Sequence, residues 1–290
     1  MANTFLTPQI IAREALMVLK KNAVMANLVH RDYSNEFVSG VGDTITVRKP
    51  ATFEAKEFSG TITVQDATEN SVSVVMNKHL DVSFAVTSKQ MSLDISDFSK
   101  QLLVPAMQAF ADKIDKYLIA LNSDITNRIT HASGAITPSE IIDARKFLVD
   151  SAAPTTERRA VVGAQAESDL LKSDLFVSAE KVGDDGTALR EASLGRKYGL
   201  DFYTDQNIEK GGSGTPTILF HKNAFALVTR QLEIPNGAAN AAIVNYDGFG
   251  LRVVYGYNLE TKTDTVSIDM LCGVKTLDKN LAAVIDDTRS

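Results

Sequence analysis

The chain has 290 residues, of which 44% are hydrophobic and 23% are charged, as in an ordinary soluble globular protein. This length can bury a sizeable core in one large domain or two lobes, and the composition excludes a chain that is mostly disordered. The formal net charge of −6 argues against tight binding of nucleic acid, because neutralising phosphates requires an excess of Lys and Arg.

The cysteine count and the apolar runs indicate the compartment. The single cysteine, Cys272, excludes a disulfide framework, and its apolar neighbours indicate an inert thiol in a buried strand. The first residues lack the basic start and apolar run of a signal peptide, and no apolar stretch approaches the ~20 residues that span a bilayer. We therefore expect a protein of the reducing cytoplasm that does not contact a membrane.

The first predicted helix begins at Thr7 and Pro8, a capping residue followed by a residue that is favoured at the first helical position. Ile11 and Val18 fall on one apolar face, and the pattern extends to about Leu28. The adjacent sequence offers no partner for this face. The pattern therefore predicts an arm that docks on something else.

Between Val41 and Val86 the hydrophobic period changes from helical spacing to two. Polar and apolar residues alternate over 44–47, 61–64 and 71–74, as they do in half-buried strands. Two or three strands without a covering layer are only marginally stable alone. We therefore expect a long β-ribbon that lies against the same chain or a neighbour.

The strongest helical pattern follows the ribbon. Its apolar positions recur at spacings of three, four or eight, and they are Phe98, Leu102, Phe110, Ile114, Tyr117, Leu121 and Ile125. The charged residues Asp112, Lys113, Asp115 and Lys116 fall mostly on the opposite face. Pro105 should kink or restart the helix, and roughly 25 residues would give a strut of about 37 Å.

A separate α/β lobe is predicted from Thr137 to about Ile243. Pro138 begins a helix over 141–149, residues 159–163 form a short buried strand, and 166–171 begin another helix. Loops are predicted at 181–186, 210–214 and 235–242, and closing strands at 251–257 and 265–274. The pattern as a whole indicates an α+β protein.

The sequence shows no pattern that indicates a metal or cofactor site. The four histidines, which are His30, His79, His131 and His221, have no His or Cys partner at metal-ligand spacing. The glycines of 183–186 lack the acidic spacing of a calcium loop, and Gly248 and Gly250 have no third glycine in register. We expect neither a metal nor a cofactor.

No pattern indicates a catalytic residue either. Ser178 and Lys181 match a Ser-x-x-Lys motif, but the companion motifs of the acyl enzymes are absent. The paired carboxylates at 184–185 and 286–287 lie in turn-like or terminal stretches, where solvated side chains are expected. The sequence therefore predicts that the protein is not an enzyme.

Five segments resemble the major coat proteins of tailed bacteriophages, especially the podovirus-type coat family. The start resembles the N-terminal helix of that family, 41–50 resembles the beginning of its extended loop, and 194–203 resembles its glycine-bearing central segment. The five segments are Met1–Pro8 with Ala12–Leu16, Val41–Pro50, Leu194–Tyr203, Phe220–Leu227 and Cys272–Lys275. The resemblance covers nearly the whole chain.

The resemblance implies the Hong-Kong-ninety-seven-type capsid fold, with an N-arm, an extended loop, a peripheral domain that contains a spine helix, and an axial α/β domain. The corresponding residues are 1–34 for the N-arm, 38–86 for the extended loop, 87–136 with 247–290 for the peripheral domain, and 137–246 for the axial domain. It also implies that Phe53 and Phe58, in the extended loop, and Ile11 and Val18, in the arm, contact neighbouring subunits.

The function that the resemblance implies is self-assembly into an icosahedral shell around a phage genome. The implied partners are other copies of the chain, a scaffolding protein, a portal and, only weakly, packaged double-stranded DNA. Assembly would take place in the host cytoplasm and the product would be the virion capsid.

Three alternatives remain open from the sequence. An encapsulin-like nanocompartment shell would share the fold. An α+β enzyme would have a site built from residues that are scattered in the sequence. A decoration or tail-tube subunit is disfavoured by the long helix.

Overall fold

The computed structural model describes residues 8–33, 42–48, 71–87, 102–177, 194–209, 214–238, 240–246 and 249–289, with single residues at 55, 57, 60 and 64. The described helices are α1 (Pro8–Asn22), α2 (Met25–Leu28), α3 (Val104–Ala120), α4 (Pro138–Asp150), α5 (Ala164–Leu171) and α6 (Asp174–Val177). The described strands are β1 (Thr44–Arg48), β2 (Ser71–Val75), β3 (Lys78–Thr87), β4 (Arg128–His131), β5 (Arg158–Val162), β6 (Arg196–Lys197), β7 (Leu200–Thr204), β8 (Thr215–His221), β9 (Phe225–Arg230), β10 (Asn240–Tyr246), β11 (Phe249–Asn258), β12 (Thr263–Thr276) and β13 (Ala282–Asp287). The predicted α+β class is confirmed.

The first large sheet has five strands and is built around β12. Its order is β10-β11-β12-β3, and β9 pairs with the C-terminal part of β12. All of these pairs are antiparallel, with Val266 opposite Phe84 and Ile268 opposite Val82. Side chains alternate between the faces of a strand, so Val266, Ile268 and Met270 of β12 all lie on the buried face.

Helices α1 and α3 contribute to one core with the buried face of this sheet. Phe110 and Ile114 of α3 are fully buried in this core, which also contains Ile268 and Met270 of β12. The helix α3 has 17 residues, about 25 Å, and the part of the predicted strut before residue 102 lies outside the described residues. Pro105 lies in its first turn, where a proline without an N–H group is tolerated.

The second large sheet has six strands in the order β4-β13-β8-β5-β7-β6. It is mixed, because β13 runs parallel to β4 and β5 runs parallel to β7, whereas the other neighbours are antiparallel. A second core forms between this sheet and the helices α4, α5 and α6. Its fully buried side chains include Ile141, Leu148, Leu170, Phe176, Leu200, Leu219 and Ile285.

The sequence of the second lobe contains clear local signals. Thr137 and Glu140 form a capping box at the start of α4, where the Glu140 carboxylate accepts a hydrogen bond from the Thr137 amide at 2.7 Å. Between β6 and β7, Tyr198 and Gly199 both have positive φ, of 52° and 76°. Such a pair forms the tight two-residue turn that matches the twist of a hairpin.

Each of the two large sheets joins segments from different predicted domains, and the division into those domains stays a prediction. The boundary at 246/247 separates β10 from β11, which are hydrogen-bonded neighbours. The segment 247–290 was assigned to one domain, but β12 lies in the five-stranded sheet and β13 lies at the interior of the six-stranded one. The prediction followed chain order, whereas strand pairing brings sequence-distant segments together.

None of the described helices is long and apolar enough to cross a membrane.

Candidate functional site

The histidines have structural partners, and the cysteine lies in the core. The imidazole of His131 lies 2.5 Å from the Glu140 carboxylate, and that of His79 lies 3.3 Å from Asp269. His221 accepts a hydrogen bond from the Asn223 amide. Cys272 is fully buried, and burial raises its pKa to about 12, which makes the thiol inert at neutral pH. Among the described residues, no group of three or more His, Cys, Asp or Glu is arranged to hold a metal ion.

The other motifs considered for chemistry give no site in the described part of the chain. Residues 178–193 and Gly248 lie outside it, as do the paired carboxylates at 184–185. The pair at 286–287 was predicted to be solvated, and this was wrong: Asp286 and Asp287 are 4% and 3% exposed in β13. Pairing of β13 inside the sheet buries both side chains, and arginines neutralise them.

Three arginines, which are Arg128, Arg252 and Arg289, hold these and other buried carboxylates, and Arg289 binds Asp287. Arg128 binds Asp286 through Nε at 2.7 Å and through Nη2 at 2.5 Å. Arg252 binds both oxygens of Asp269. Such bidentate pairs are among the stronger polar contacts in proteins, and breaking one of them leaves a buried charge. Their positions at the two sheets indicate a structural role.

An open depression of about 530 Å³ lies between the end of α3, β4, β13 and the segment before β8. Its charged side chains pair with one another, because Lys116 binds Glu209 at 2.6 Å and Arg128 binds Asp286. No unpaired charge therefore marks this depression as a ligand site among the described residues that line it.

The root of the β-ribbon, which consists of the paired strands β1 and β2, packs on the rest of its own subunit. Strands β1 and β2 pair over 44–48 and 71–75, which confirms two of the three predicted strands, while 61–64 lies almost wholly outside the described residues. Val47, Val74 and Met76 form a small separate core together with side chains of β9 and with Leu277, which follows β12. Phe53 and Phe58 lie outside the described residues.

A close approach fixes where the ribbon leaves the sheet. A Cβ atom on Gly273 of β12 would lie 2.3 Å from the carbonyl oxygen of Val75 and 3.1 Å from the Cα atom of Met76. Only glycine fits there, because the two backbones are in direct contact. The glycine at the crossing therefore determines the position of the ribbon root.

We expect Gly273→Ala to displace the ribbon root and to lower the free energy of unfolding by about 1–3 kcal/mol, as overpacking does elsewhere. Gly256→Ala is the matched control, because Gly256 also lies in a strand of this sheet and its added Cβ would meet open space. Denaturant unfolding measures the stability, and limited proteolysis measures exposure of the ribbon. Equal stability of the two variants would contradict the steric argument.

The predicted arm helix packs on its own subunit. Helix α1 lies against α3 and against β10 and β11, and Ile11 is only 2% exposed. The expectation that Ile11 contacts a neighbour is therefore corrected, because the partner of its face is sequence-distant but belongs to the same chain. Val18 is partly buried against the same core, and its contact with another subunit stays a prediction.

A buried carboxylate connects this N-terminal region to α3. Asp115 accepts hydrogen bonds from the Val24 amide at 2.7 Å and from the Ala26 amide at 2.9 Å, at the start of α2. Asp115 belongs to the charged residues predicted to lie mostly on the outer face of α3, and for Asp115 this was wrong, because it is fully buried. Its spacing of four from Ala111 and from Ile119, which are both buried, is the signal that could have located it.

Several apolar side chains remain on the described surface. Ile10 and Met17 are 50% and 72% exposed, and their spacing of seven places them on one stripe of α1. Leu259 is 73% exposed at the turn between β11 and β12. Exposed apolar groups on ordered elements are consistent with contacts to other molecules.

No protein-family model matches the chain, and no curated protein matches it. Solved structures do match. A chain from Mycobacterium phage Che8 is 18% identical over 92% of each chain, with a TM-score of 0.70. A chain of the mature capsid of bacteriophage PhiM1 is 12% identical over 86% of this chain and 83% of that chain, with a TM-score of 0.62. The SrpI encapsulin of Synechococcus elongatus is 11% identical over 98% of this chain and 92% of that chain, with a TM-score of 0.52.

These similarities extend over most of each chain, so they describe the whole subunit rather than one lobe. The chain has the fold of phage capsid subunits, which it shares with an encapsulin shell protein.

Proposed function

We propose that the chain is the major capsid protein of a tailed bacteriophage, which assembles through pentamers and hexamers into an icosahedral shell around the genome. The observation that supports this most is the match to the Che8 chain over 92% of both chains. The described residues support it further, since their histidines, cysteine and charged groups serve the fold rather than a reaction. We also propose that the protein is not an enzyme.

The physical logic of a shell suits this subunit. Closed shells form when heterologous contacts close by symmetry, and a subunit that touches several neighbours gains avidity from contacts that are individually weak. The proposed contacts are Phe53 and Phe58 of the extended loop, Val18 of the arm, and the exposed stripe of Ile10 and Met17. We further propose a scaffolding protein and a portal as partners, weak contact with packaged DNA, and assembly in the host cytoplasm.

The encapsulin-like shell is the second candidate, because an encapsulin is among the structural matches. Its TM-score of 0.52 against 0.70 for the Che8 chain favours the phage capsid. A terminase and a portal encoded beside the gene would support the phage capsid, whereas a neighbouring cargo enzyme would support the nanocompartment.

The direct test is negative-stain electron microscopy and sedimentation of the protein expressed alone and with candidate scaffolding proteins. We expect closed shells, tubes or spirals of capsomers in at least one of these preparations. A uniform monomer or dimer in all of them would argue against a shell protein and would favour the enzyme alternative.

Phe58→Ala should give a folded subunit that assembles poorly, since we propose that this side chain contacts a neighbour. Val149→Ala is a suitable control, because Val149 is also apolar and exposed but lies on α4, outside the extended loop. The measurements are shell yield by sedimentation and the melting temperature of the subunit. A shell yield equal to that of the wild type would contradict the assigned contact.

A further inference from the structure

A second buried carboxyl group lies near Asp115. Asp205 follows β7, is 1% exposed, and accepts a hydrogen bond from the Asn207 amide at 2.8 Å through Oδ1. Its Oδ2 atom is buried and has no hydrogen-bond partner among the described residues. Asp112, one turn before Asp115 on α3, is exposed and accepts a hydrogen bond from the Asn207 side chain. Three carboxyl groups therefore share the junction of α2, α3 and the segment after β7.

Burial is the main influence on the two inner carboxyl groups. It raises the pKa of Asp115 to about 7, against the opposing effect of hydrogen bonds from the Val24 and Ala26 amides, and the charges of Asp205 and Asp112 raise it further. Burial also raises the pKa of Asp205 above its ordinary value. Asp115 thus favours the protonated state at mildly acidic pH.

The elements around Asp115 bring few cations to it. Helix α2 has no titratable residue, and the segment after β7 brings Asp205 and Glu209, of which Glu209 binds Lys116. Among its described side chains, α1 brings Arg13, which is exposed, and Glu14. The described charges that act most on Asp115 are thus both negative.

We propose that Asp115 is a proton-controlled latch that holds the N-terminal helices α1 and α2 on α3. The neutral carboxyl group stays under α2, whereas ionisation puts a charge in a dry site beside two other acids. The amides that bind this carboxyl group lie at the start of the four-residue helix α2, so loss of these hydrogen bonds would free that end of α2 from α3. The next residues stay attached, because the His30 amide binds the Phe225 carbonyl and the Leu227 amide binds the His30 carbonyl.

The direction of the pH effect follows from linkage. The pKa of Asp115 is higher in the folded protein than the ordinary value of 3.8, so the folded protein holds the proton more tightly than the opened one. The resulting stabilisation is fully present below the ordinary pKa and is lost as pH rises through about 7. The helices α1 and α2 are therefore held on α3 more strongly at mildly acidic pH than above neutral pH.

Amide hydrogen exchange of residues 23–29 in the full chain tests the latch, after correction for the intrinsic pH dependence of exchange. We expect the protection of these amides against exchange in the wild type to fall by about tenfold between about pH 6 and about pH 8. This is the change that results when one carboxyl group with a pKa of about 7 in the folded protein loses its proton. Asp115→Asn should remove this fall. Asp112→Asn is the matched control, because Asp112 is an exposed acid on the same helix, and it should retain most of the fall.

Two more variants keep the test decisive. Asp205→Asn removes the neighbouring acid and should shift the midpoint of the fall to lower pH. His30→Gln should leave the fall in place, although His30 follows the exchanging segment, because burial lowers the pKa of its imidazole below the ordinary value of 6.5. A fall that persists in Asp115→Asn, that disappears in His30→Gln, or that is absent from the wild type would overturn the proposal. The experiment uses the subunit itself, so it stands or fails independently of shell assembly.

Discussion

Ile114→Asp is expected to prevent folding. Ile114 is fully buried in the middle of α3 and lies in the main core with Phe110 and Leu118. The variant loses the burial of a large side chain and places a carboxylate in an apolar core, next in sequence to the buried Asp115. The combined cost is on the order of 5 kcal/mol or more, which approaches the whole stability of a typical domain.

Ala109→Asp is the matched control for this prediction. Ala109 lies on the same helix, but its side chain is exposed, so the new carboxylate remains in water. Its expected cost is only the helix propensity of aspartate, below about 1 kcal/mol. The measurements are the soluble fraction after expression and the far-UV circular dichroism of the product. A soluble Ile114→Asp variant with native melting behaviour would show that the core is not where the structure places it.

Arg289→Ala is expected to lower the free energy of unfolding by about 3–5 kcal/mol, the typical result of removing one partner of a buried ion pair. The Arg289 guanidinium binds Asp169 at 2.6 Å and Asp287 at 2.7 Å, and both carboxylates are nearly buried. Through these contacts it joins β13 to α5. The variant leaves two carboxylates in the fold without this cation.

The effect of Arg289→Ala should depend on pH. Burial alone would raise the pKa of Asp287, but hydrogen bonds from Arg289 lower it below its ordinary value of 3.8. Stability from a lowered carboxyl pKa is present above the ordinary value and is lost as pH falls through the folded value. The difference between wild type and variant should therefore be large near neutral pH and should shrink below about pH 4.

The control for this second prediction is Arg196→Ala. Arg196 lies 3.6 Å from Asp201, and the two side chains are 60% and 34% exposed, so solvent screens the pair. Its loss should change the free energy of unfolding by less than about 1 kcal/mol. Urea denaturation near neutral pH and below about pH 4 measures the free energy of unfolding of both variants. Equal losses for Arg289→Ala and Arg196→Ala would refute the role assigned to the buried pair.

The local elements could be predicted from the sequence because their signals are local. The capping residues at Thr137 and Pro138 located the start of α4, and the alternation at 44–47 and 71–74 located β1 and β2. The resemblance of five ordered segments led to the capsid fold, which the structural matches confirm.

The errors concern contacts between distant segments. No local pattern indicates that α1 packs on α3 and the five-stranded sheet, which is why the expected contact of Ile11 with a neighbouring subunit is wrong. Asp286 and Asp287 were taken as solvated because a carboxylate pair near the end of a chain usually is. Their burial depends on β13 inserting between β4 and β8, a pairing that periodicity does not encode.

The sequence by itself determined the fold class, the capsid resemblance and the positions of about half of the described helices and strands, among them α1, α3, α4, β1, β2 and β12, since periodicity, caps and turns act within a few residues. Only the tertiary structure decided which strands share a sheet, that Gly273 sets the ribbon root, and that Asp115 lies under α2. These features arise from packing across about ninety residues or more, where close approach and loss of water, rather than local propensity, fix the role of a side chain.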